Sequence, residues 1–342
     1  MKIVYSDKHA QHDPQTFIVR GVKQRSAEQP ERATRLLAAA KGAGHEIVAP
    51  KAYGPGPAAA VHTPDYIDFL KVAAREWAKL PGASDEVVPN MHPARAHASY
   101  PKALAGRAGW HQADMACPIG PYTWDAALAA TEVATTAAET VLDGTREAYA
   151  LCRPPGHHAF ADMAGGFCFL NNSAIAAQHL RSKHARVAVF DVDVHHGNGT
   201  QGIFYERADM LTVSIHADPD NYYPYFWGHA HEGGSGAGNG FNLNLPLPLG
   251  STDAPWLAAG DKALARIRDF APTALVVALG LDSSESDPLQ GLKVTGAGFA
   301  AMAAKIAQLG LPTVLVQEGG YLGDDLGRNL VQFLAGFEKG RG

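Results

Sequence analysis

The stretch AVFDVDVHHGNGT, residues 188–200, places two aspartates and two histidines directly after an apolar run. A short apolar run of this kind predicts a buried strand. Side chains alternate between the two faces of a strand, so Asp191, Asp193 and His195 share one face. Water normally solvates such groups, and their position at the end of a buried strand therefore indicates a functional site.

The same apolar, β-prone pattern recurs along the chain and alternates with Ala-rich helical stretches. This alternation predicts a parallel sheet with helices on both faces. Asn171 or Asn172 is expected to cap the fourth helix. Residues 80–122 and 217–253, rich in Pro, Gly, Asn and His, are expected to be long loops. We expect strands at 2–6, 46–50, 148–152, 186–193, 210–216, 274–280 and 313–317, and helices at 31–43, 64–79, 124–143, 172–184, 255–270 and 298–309.

Length and composition narrow the class of protein. The chain has 342 residues, 46% of them hydrophobic, and a net charge of −5, which suits one large α/β domain or two smaller ones. It has no basic block and no apolar run near the roughly 20 residues of a membrane span, so we expect neither a nucleic-acid nor a membrane partner. The beginning, MKIVYSDKHA, lacks a signal-peptide core, which predicts a cytoplasmic protein. The three cysteines, Cys117, Cys152 and Cys168, do not suggest a disulfide framework.

Four of the predicted strands run directly into polar clusters. AYAL is followed by CRPPGHH, VAVF by DVDVHHGNG, LVVALG by LDSSESDP, and TVLVQ by EGGY. Ligands of open parallel sheets bind at the carboxyl ends of the strands. If these four strands are neighbours, their clusters meet in one place, and this convergence is more specific than any single motif.

The residue types in these clusters suit a catalytic zinc, which takes three protein ligands and leaves one position open. Asp193 and His195 are two plausible ligands, and Asp282 is the best candidate for the third. An isolated Asp-x-His is more often a hydrogen-bonded cluster than a metal site, but four converging strand ends reverse that preference. The rigid Pro-Pro-Gly turn can aim both His157 and His158 inward, where an imidazole suits the role of a base at neutral pH.

Further polar groups could complete this site. Each imidazole needs an acceptor that fixes its tautomer, and Asp191 and Asn198 are available from the neighbouring strand end. Tyr321 follows two glycines and could donate a hydrogen bond to a developing oxyanion. Taken alone, paired histidines also occur on surface loops, and EGGY also fits an ordinary β-turn with a packed tyrosine.

The ordered motifs resemble those of the histone deacetylase superfamily. They are CRPPGHHA, GGFCFLNN at 165–172, DVDVHHGNGT, GLDSSESDP and EGGY, and they span residues 152–321. The resemblance implies the arginase/deacetylase α/β fold, with a central eight-stranded parallel sheet flanked by helices. It further implies a single zinc-dependent deacetylase domain over residues 1–342, whose long loops at about 18–30, 80–122 and 217–253 shape the entrance. The implied activity is zinc-dependent hydrolysis of an N-acyl amide on an alkylamine.

The resemblance also implies a role for each matching residue. His158 would be the general base and later acid, and His157 its electrostatic partner close to Asp191. Asn198 would lie behind His158, and Tyr321 would polarise the acyl carbonyl. The implied zinc ligands are Asp193, His195 and Asp282, a set that Fe²⁺ could also use.

Two further sets of residues follow from the resemblance. The first lines a substrate tunnel sized for an acyl-lysine. It comprises the walls Phe167 and Tyr223 together with Gly166, Leu289, Gly319 and Gly320. The second binds a structural monovalent cation, usually K⁺. It comprises the side chains of Asp191 and Ser214 and the carbonyls of Asp193, His195 and Ile215.

Within the superfamily, the chain resembles bacterial acetylpolyamine amidohydrolases more than eukaryotic histone deacetylases. The extended loop that begins IVRGVKQRSAEQPER at residue 18, VHTPDYIDFL at 61–70 and GPYTWDAALAA at 120–130 carry this resemblance. In that subgroup the long loop helps to form a dimer whose second subunit narrows the entrance. We therefore predict a homodimer and a slender acetylated polyamine substrate, such as acetylputrescine or acetylcadaverine.

One departure bears on the substrate. Polyamine-selective relatives carry acidic residues in the loop before the Thr-Trp pair, whereas the matching positions here are Ala105 and Ala116. Asp114 is the carboxylate left nearby, and Arg107 offsets its charge. Tyr223 stands where phenylalanine is more usual and makes the tunnel more polar. Acetyl-lysine or another small N-acyl amide is therefore the alternative substrate.

Two rival interpretations belong to other functional classes. An arginase-like binuclear hydrolase would need a second set of metal ligands, for which Asp191 and Asp287 could be recruited. A catalytically silent binding module would usually have lost a ligand, the histidine pair or the tyrosine, and this chain retains all of them.

Overall fold

The computed structural model describes residues 1–95 and 97–342. Its strands form a central sheet of eight and a separate two-stranded hairpin, β2–β3. The ten strands are β1 (Lys2–Val4), β2 (Phe17–Val19), β3 (Val22–Gln24), β4 (Glu46–Val48), β5 (Glu147–Ala150), β6 (Val187–Asp191), β7 (Met210–Ala217), β8 (Asn242–Leu247), β9 (Ala274–Leu279) and β10 (Thr313–Gln317).

The central sheet is parallel throughout, in the order β4-β1-β5-β10-β9-β6-β7-β8. Strands β5, β10, β9 and β6 are therefore consecutive neighbours. These are the four strands that run into polar clusters. The clusters therefore meet at the carboxyl ends of neighbouring strands, as the sequence predicts. Every residue of β6, β7, β9 and β10 is buried, which explains the apolar runs of β6, β9 and β10.

Helices cover both faces of the sheet. Residues of α1, α8, α9 and α10 pack in one apolar core, and residues of α5 and α6 pack in a second core on the opposite face. Two short 3₁₀ helices lie at Asp7–Gln11 and Gly236–Gly238. The α-helices are α1 (Glu31–Gly42), α2 (Gly56–Ala59), α3 (Pro64–Trp77), α4 (Leu104–His111), α5 (Thr123–Leu142), α6 (Asn172–Leu180), α7 (Asn198–Phe204), α8 (Asp253–Phe270), α9 (Gly296–Ala307) and α10 (Leu326–Gly340).

The structure confirms the predicted α/β sheet and corrects the predicted loops. All seven predicted strands form, but the eighth, β8, lies inside the predicted loop 217–253. It is an edge strand with Pro246 in its ladder, and a proline is tolerated at an edge. Helix α4 lies inside the predicted loop 80–122, and the hairpin β2–β3 occupies part of the loop at 18–30.

The structure identifies the cap of α6 and adds helix α10 to those expected. Asn171 is the cap of α6, because its side chain accepts a hydrogen bond from the Ala174 N–H. Helix α10 was not among the predicted helices, although its buried Leu330, Phe333 and Phe337 follow a helical spacing. The three cysteines are buried and free. Among the described residues, no helix combines the length and apolar character needed to cross a bilayer.

Candidate active site

Asp193, His195 and Asp282 lie together at the carboxyl ends of β6 and β9. Their ligand atoms lie within 4.8 Å of one another, and all three residues are buried. His195 Nδ1 is 3.1 Å from Asp193 Oδ1 and 3.2 Å from Asp282 Oδ2. Burial disfavours a charged imidazole, yet the two carboxylates raise the pKa of His195 to about 9. The point that the three groups surround is therefore strongly attractive to a cation.

The surroundings of these three residues fit a divalent metal ion. Asp282 Oδ2 is buried without a hydrogen-bond partner in the part of the chain that the structure describes. A Cβ atom on Gly319 would lie 2.1 Å from this oxygen and 2.5 Å from Asp193 Oδ2, so only glycine leaves the space open. Imidazole nitrogen and carboxylate oxygen are donors that both Zn²⁺ and Fe²⁺ accept. The chain thus has a group of side chains able to hold a metal.

His157 and His158 follow β5 and point into the same site. Their ring centroids are 4.0 Å apart, although the residues are adjacent in sequence. His157 Nδ1 is 2.9 Å from Asp191 Oδ2, and His158 Nδ1 is 2.7 Å from Asn198 Oδ1. The predicted partners of both imidazoles are therefore in hydrogen-bonding positions.

The two neighbouring imidazoles have pKa values shifted in opposite directions. Burial opposes a charge on His157, but Asp193 and Asp191 outweigh it and raise its pKa to about 10. Burial, followed by the charges of His157 and His195, lowers the pKa of His158 well below its usual value. Asn198 Oδ1 can only accept, so the proton of neutral His158 lies on Nδ1 and leaves Nε2 free to accept another.

Glu318 lies behind the histidine pair and was not singled out from the sequence. Its Oε2 accepts hydrogen bonds from the N–H groups of Gly156, at 2.6 Å, and His157, at 3.0 Å, and its Oε1 accepts from Ser173 Oγ at 2.6 Å. It thereby fixes the turn that carries both imidazoles. His157, Cys168 and Glu318 form a second group of ligand-type side chains, but both Glu318 oxygens are already hydrogen-bonded. The available signal was a carboxylate directly after the buried strand TVLVQ.

Tyr321 is buried at the end of β10, 4% exposed. Its N–H donates to Asp287 Oδ2 at 2.8 Å, and Asp287 Oδ1 accepts from the Leu289 N–H at 2.9 Å. Burial raises the pKa of the phenol well above its usual value, so Tyr321 remains a hydrogen-bond donor. The sequence suggested Asp287 only as a ligand for a second metal, whereas its observed contacts connect Tyr321 to the loop after β9.

A buried charge network lies beneath this site and was also missed. Glu28 Oε1 accepts from Arg32 Nη1 and from Arg153 Nε, each at 2.7 Å. Arg32 donates in turn to the carbonyls of Glu318 and Gly320, which flank Gly319, the glycine packed against the Asp193 and Asp282 carboxylates. The predicted loop 18–30 therefore supports the active site from within.

Three of the predicted tunnel residues, Gly166, Phe167 and Tyr223, lie beside the histidine pair or Tyr321. The Tyr223 ring lies 5.0 Å from the His158 ring, and the Phe167 ring lies 5.7 Å from the Tyr321 ring. A Cβ atom on Gly166 would lie 2.4 Å from His158 Cδ2, so this position requires a small residue. The remaining predicted positions lie on the adjoining loops. The Leu289 carbonyl accepts from Tyr222 Oη at 3.0 Å, and Gly319 lies against the Asp193 and Asp282 carboxylates. A Cβ on Gly320 would face Leu281 and Leu326.

The residues predicted to bind a monovalent cation lie at and after the end of β6 and beside it within β7. Asp191 and Ser214 face one another in the parallel register of β6 and β7. Asp191 Oδ1 accepts from the Asp193 N–H at 3.1 Å, and Ser214 Oγ lies 2.8 Å from His216 Nδ1. The carbonyl positions Asp193, His195 and Ile215 follow on the same two chain segments.

A second metal-ligand set of the arginase type gains no support. Within residues 1–95 and 97–342, neither Asp191 nor Asp287 belongs to a group of three side chains positioned to share an ion. Both carboxylates instead accept hydrogen bonds, Asp191 near His157 and Asp287 near Tyr321.

Comparison with known proteins agrees with this geometry. The histone deacetylase domain profile matches residues 26–337. An acetylpolyamine amidohydrolase from Burkholderia pseudomallei (strain 1710b) is 48% identical over 335 residues, which cover 97% of each chain. Acetylpolyamine amidohydrolase 1 from Pseudomonas aeruginosa is 45% identical, with 99% of each chain covered. A crystal structure of acetylpolyamine aminohydrolase from Burkholderia pseudomallei superimposes with a TM-score of 0.96 at 47% identity, covering 98% of each chain.

These matches settle the class and then the family. The chain is a hydrolase that acts on amides. It belongs to the histone deacetylase family, which confirms the resemblance carried by the five motifs.

Proposed function

We propose that the chain is a zinc-dependent deacetylase whose substrates are acetylated polyamines such as acetylputrescine or acetylcadaverine. The observation that carries the reaction is the meeting of Asp193, His195 and Asp282 with two imidazoles of opposite pKa shift. A neutral base beside a cation-attracting trio is what amide hydrolysis by water requires. The names of the two relatives support the substrate class.

The mechanism assigns a step to each side chain. Zn²⁺ held by the trio, or Fe²⁺ in its place, would polarise the amide carbonyl and make a water molecule more acidic. His158 Nε2 takes a proton from the attacking water while the oxygen of that water forms a bond to the carbonyl carbon. Tyr321 donates to the carbonyl oxygen as negative charge develops there. His158 then gives its proton to the amide nitrogen as the C–N bond breaks, which yields acetate and the free amine.

His157 is assigned the role of the protonated imidazole because Asp193 and Asp191 stabilise its charge and raise its pKa. Its charge keeps the pKa of His158 low and makes His158 an effective proton donor once it is protonated. The two imidazoles therefore have different roles: His157 provides a fixed positive charge, and His158 transfers the proton.

Two substitutions test the mechanism. His158→Ala is expected to abolish turnover while the protein still binds one metal ion, measured by elemental analysis. Near-normal turnover would remove His158 as the base. Tyr321→Phe is expected to lower kcat by about 10² or more, as does loss of one oxyanion donor in other enzymes. A change below about threefold would mean that Tyr321 does not face the carbonyl.

A panel of substrates tests the amine. Ala105 and Ala116 replace the acidic positions of polyamine-selective relatives, and acetyl-lysine or another small N-acyl amide is the second candidate. Amine release from acetylputrescine, acetylcadaverine, acetylspermidine and an acetyl-lysine peptide separates the two. Turnover of the small amines alone supports a narrow entrance, and turnover of the peptide supports an open one. No turnover with metal bound would favour a catalytically silent binding module.

We also propose a single deacetylase domain over residues 1–342 that forms a homodimer through the β2–β3 hairpin. One exposed side chain and one contact support this role of the hairpin. Val22 at its tip is 58% exposed, whereas the Phe17 ring at its base lies 5.2 Å from the ring of the tunnel wall Phe167. A partner covering the tip would thus lie close to the entrance. Light scattering coupled to size exclusion at micromolar concentration tests the dimer, and a monomer would refute it.

A structural K⁺ ion is proposed between the ends of β6 and β7, near Asp191 and Ser214. A buried carboxylate that faces a hydroxyl across two strand ends is a suitable environment for a cation with oxygen ligands. The melting temperature is expected to rise when KCl replaces tetramethylammonium chloride at equal ionic strength. Equal melting temperatures in the two salts would contradict the assignment.

A further inference from the structure

Asp114 lies in the segment between α4 and α5, and its carboxylate contacts both sides of the tunnel. Asp114 Oδ2 accepts from Tyr223 Oη at 2.6 Å and from the Gly166 N–H at 3.1 Å. Its other oxygen accepts from the Ala116 N–H at 2.8 Å, which fixes the orientation of the carboxylate. A single oxygen therefore connects Tyr223 to the backbone beside Phe167.

Both connected segments need such support. Gly166 and Phe167 have positive φ angles of 51° and 69°, and a left-handed conformation is unfavourable for phenylalanine. The Tyr223 ring lies edge-on to the His158 ring, with centroids 5.0 Å apart, and so borders the reacting groups directly. Moving either segment would change the width of the tunnel where the substrate amide has to lie.

The contacts of Asp114 show that its carboxylate has a positioning role besides its charge. Arg107, the cation expected to offset its charge, instead donates to Tyr100 Oη at 3.0 Å and lies over the Phe69 ring at 5.6 Å. Among the described residues, the three donors to the Asp114 carboxylate are neutral and belong to the tunnel or to its own loop. A hydrogen bond to an ionised carboxylate is stronger than one between neutral groups, which makes this connection firm.

We propose that Asp114 and Tyr223 form a brace that fixes the separation of the two tunnel walls and thereby selects unbranched amines. This inference rests on the proposed function and specifies how the substrate class is restricted. Asp114 acts as a positioning residue, because it reaches the substrate only through Tyr223 and the Gly166–Phe167 segment. Phenylalanine at position 223 has no hydroxyl and cannot form the brace.

The test compares two substrates in four proteins. The substrates are N-acetylputrescine and its analogue with one methyl branch on the second carbon from the acetylated nitrogen. The proteins are wild type, Tyr223→Phe, Asp114→Asn and the double variant. A well-fitted pocket discriminates one methyl group by about 10–200-fold in kcat/KM, and each single variant is expected to lower this ratio by about tenfold. The double variant is expected to match the single variants, because all three lack the same brace.

Tyr225→Phe is the matched control, since Tyr225 lies on the same loop and is 53% exposed. It is expected to keep the wild-type ratio. An unchanged ratio in an active Tyr223→Phe variant, or effects that add in the double variant, would overturn the proposal. Tyr223→Phe removes a single oxygen, so it keeps the test valid if Asp114→Asn fails to fold.

A second measurement separates the brace from the proposed function. A double-mutant cycle on urea unfolding is expected to show coupling between Asp114 and Tyr223 of at least about fivefold in the unfolding equilibrium constant. No coupling would refute the brace whatever the protein hydrolyses. Coupling in a protein that releases no amine from any acetylated substrate would refute the proposed function and, with it, the selectivity assigned to the brace.

Discussion

Replacing Glu28 with glutamine tests the charge network beneath the active site, because the change removes a charge and barely alters shape. Glu28 is 0% exposed, and its partners Arg32 and Arg153 are 2% and 3% exposed. Burial opposes ionisation of Glu28, but Arg153 and Arg32 outweigh it and hold its pKa below the usual value. The native network thus places one negative charge between two positive ones.

The expected loss of stability follows from the unpaired cations. A glutamine oxygen still accepts hydrogen bonds, but the two buried guanidinium groups lose their counter-charge. Breaking a buried ion pair on one side destabilises a protein by about 3–5 kcal/mol. With an unfolding entropy of about 2.1 cal/mol/K per residue, this loss lowers the Tm of a chain of this length by about 4–7 °C.

Urea unfolding and calorimetry at pH 7.5 in the same metal concentration measure this effect. The matched control is Glu31→Gln, because Glu31 also pairs with an arginine, Arg35, at 2.6 Å, but both side chains are about half exposed. An exposed pair contributes about 1 kcal/mol or less. If Glu28→Gln lost no more stability than Glu31→Gln, the buried Arg32 and Arg153 would not depend on the charge of Glu28, and the reasoning would be wrong.

Two further predictions concern stability against acid and metal binding. His62 is buried, donates from Nδ1 to the Phe160 carbonyl, and accepts the Asn171 N–H at Nε2, and burial lowers its pKa to about 4. His62 therefore takes up a proton near pH 6.5 in the unfolded chain and near pH 4 in the folded chain. The contribution of neutral His62 to the free energy of unfolding is thus fully present above pH 6.5 and is lost as the pH falls towards 4. We expect about 2 kcal/mol of unfolding free energy to be lost from His62 between pH 7.5 and 5, and His62→Gln to remove that part of the slope. Gly319→Ala is expected to push the Asp193 and Asp282 carboxylates apart. By analogy with loss of a group that orients metal ligands, we expect zinc affinity to fall by at least about tenfold in a competitive titration. Wild-type affinity would show that the backbone relaxes instead.

The sequence predicted the centre of the fold better than its periphery. Strands β6, β9 and β10 are buried on both faces, so their apolar runs are unbroken and easy to recognise. Strand β8 lies at the edge of the sheet and reads NLNLPL, with Asn242 and Asn244 buried in polar contacts. These asparagines bond to Gln201, a residue of α7 about forty positions earlier. Only tertiary contacts of this kind reveal the strand.

The same difference separates the predicted and missed residues of the active site. The aspartates, histidines and tyrosine follow directly from strands that end together, so local patterns sufficed to find them. Glu28 and Arg32 look like an ordinary pair spaced four residues apart at the start of a helix. Their function depends on Arg153, 125 residues from Glu28, and on the Glu318 carbonyl, 286 residues from Arg32. No local pattern contains those contacts.

The histidine pair shows why the hydrogen-bond partners of the proposed catalytic groups matter as much as their residue type. His157 and His158 are adjacent, equally buried and chemically identical, and residue type alone cannot assign their roles. The difference comes from Asp193 and Asp191, whose negative charges raise the pKa of His157, and from Asn198, which offers His158 only a neutral oxygen. Two carboxylates thus raise the pKa of one imidazole, whereas burial and the neighbouring positive charges lower the pKa of the other. We therefore attribute the proposed division between a fixed charge and a mobile proton to the neighbours of the two imidazoles.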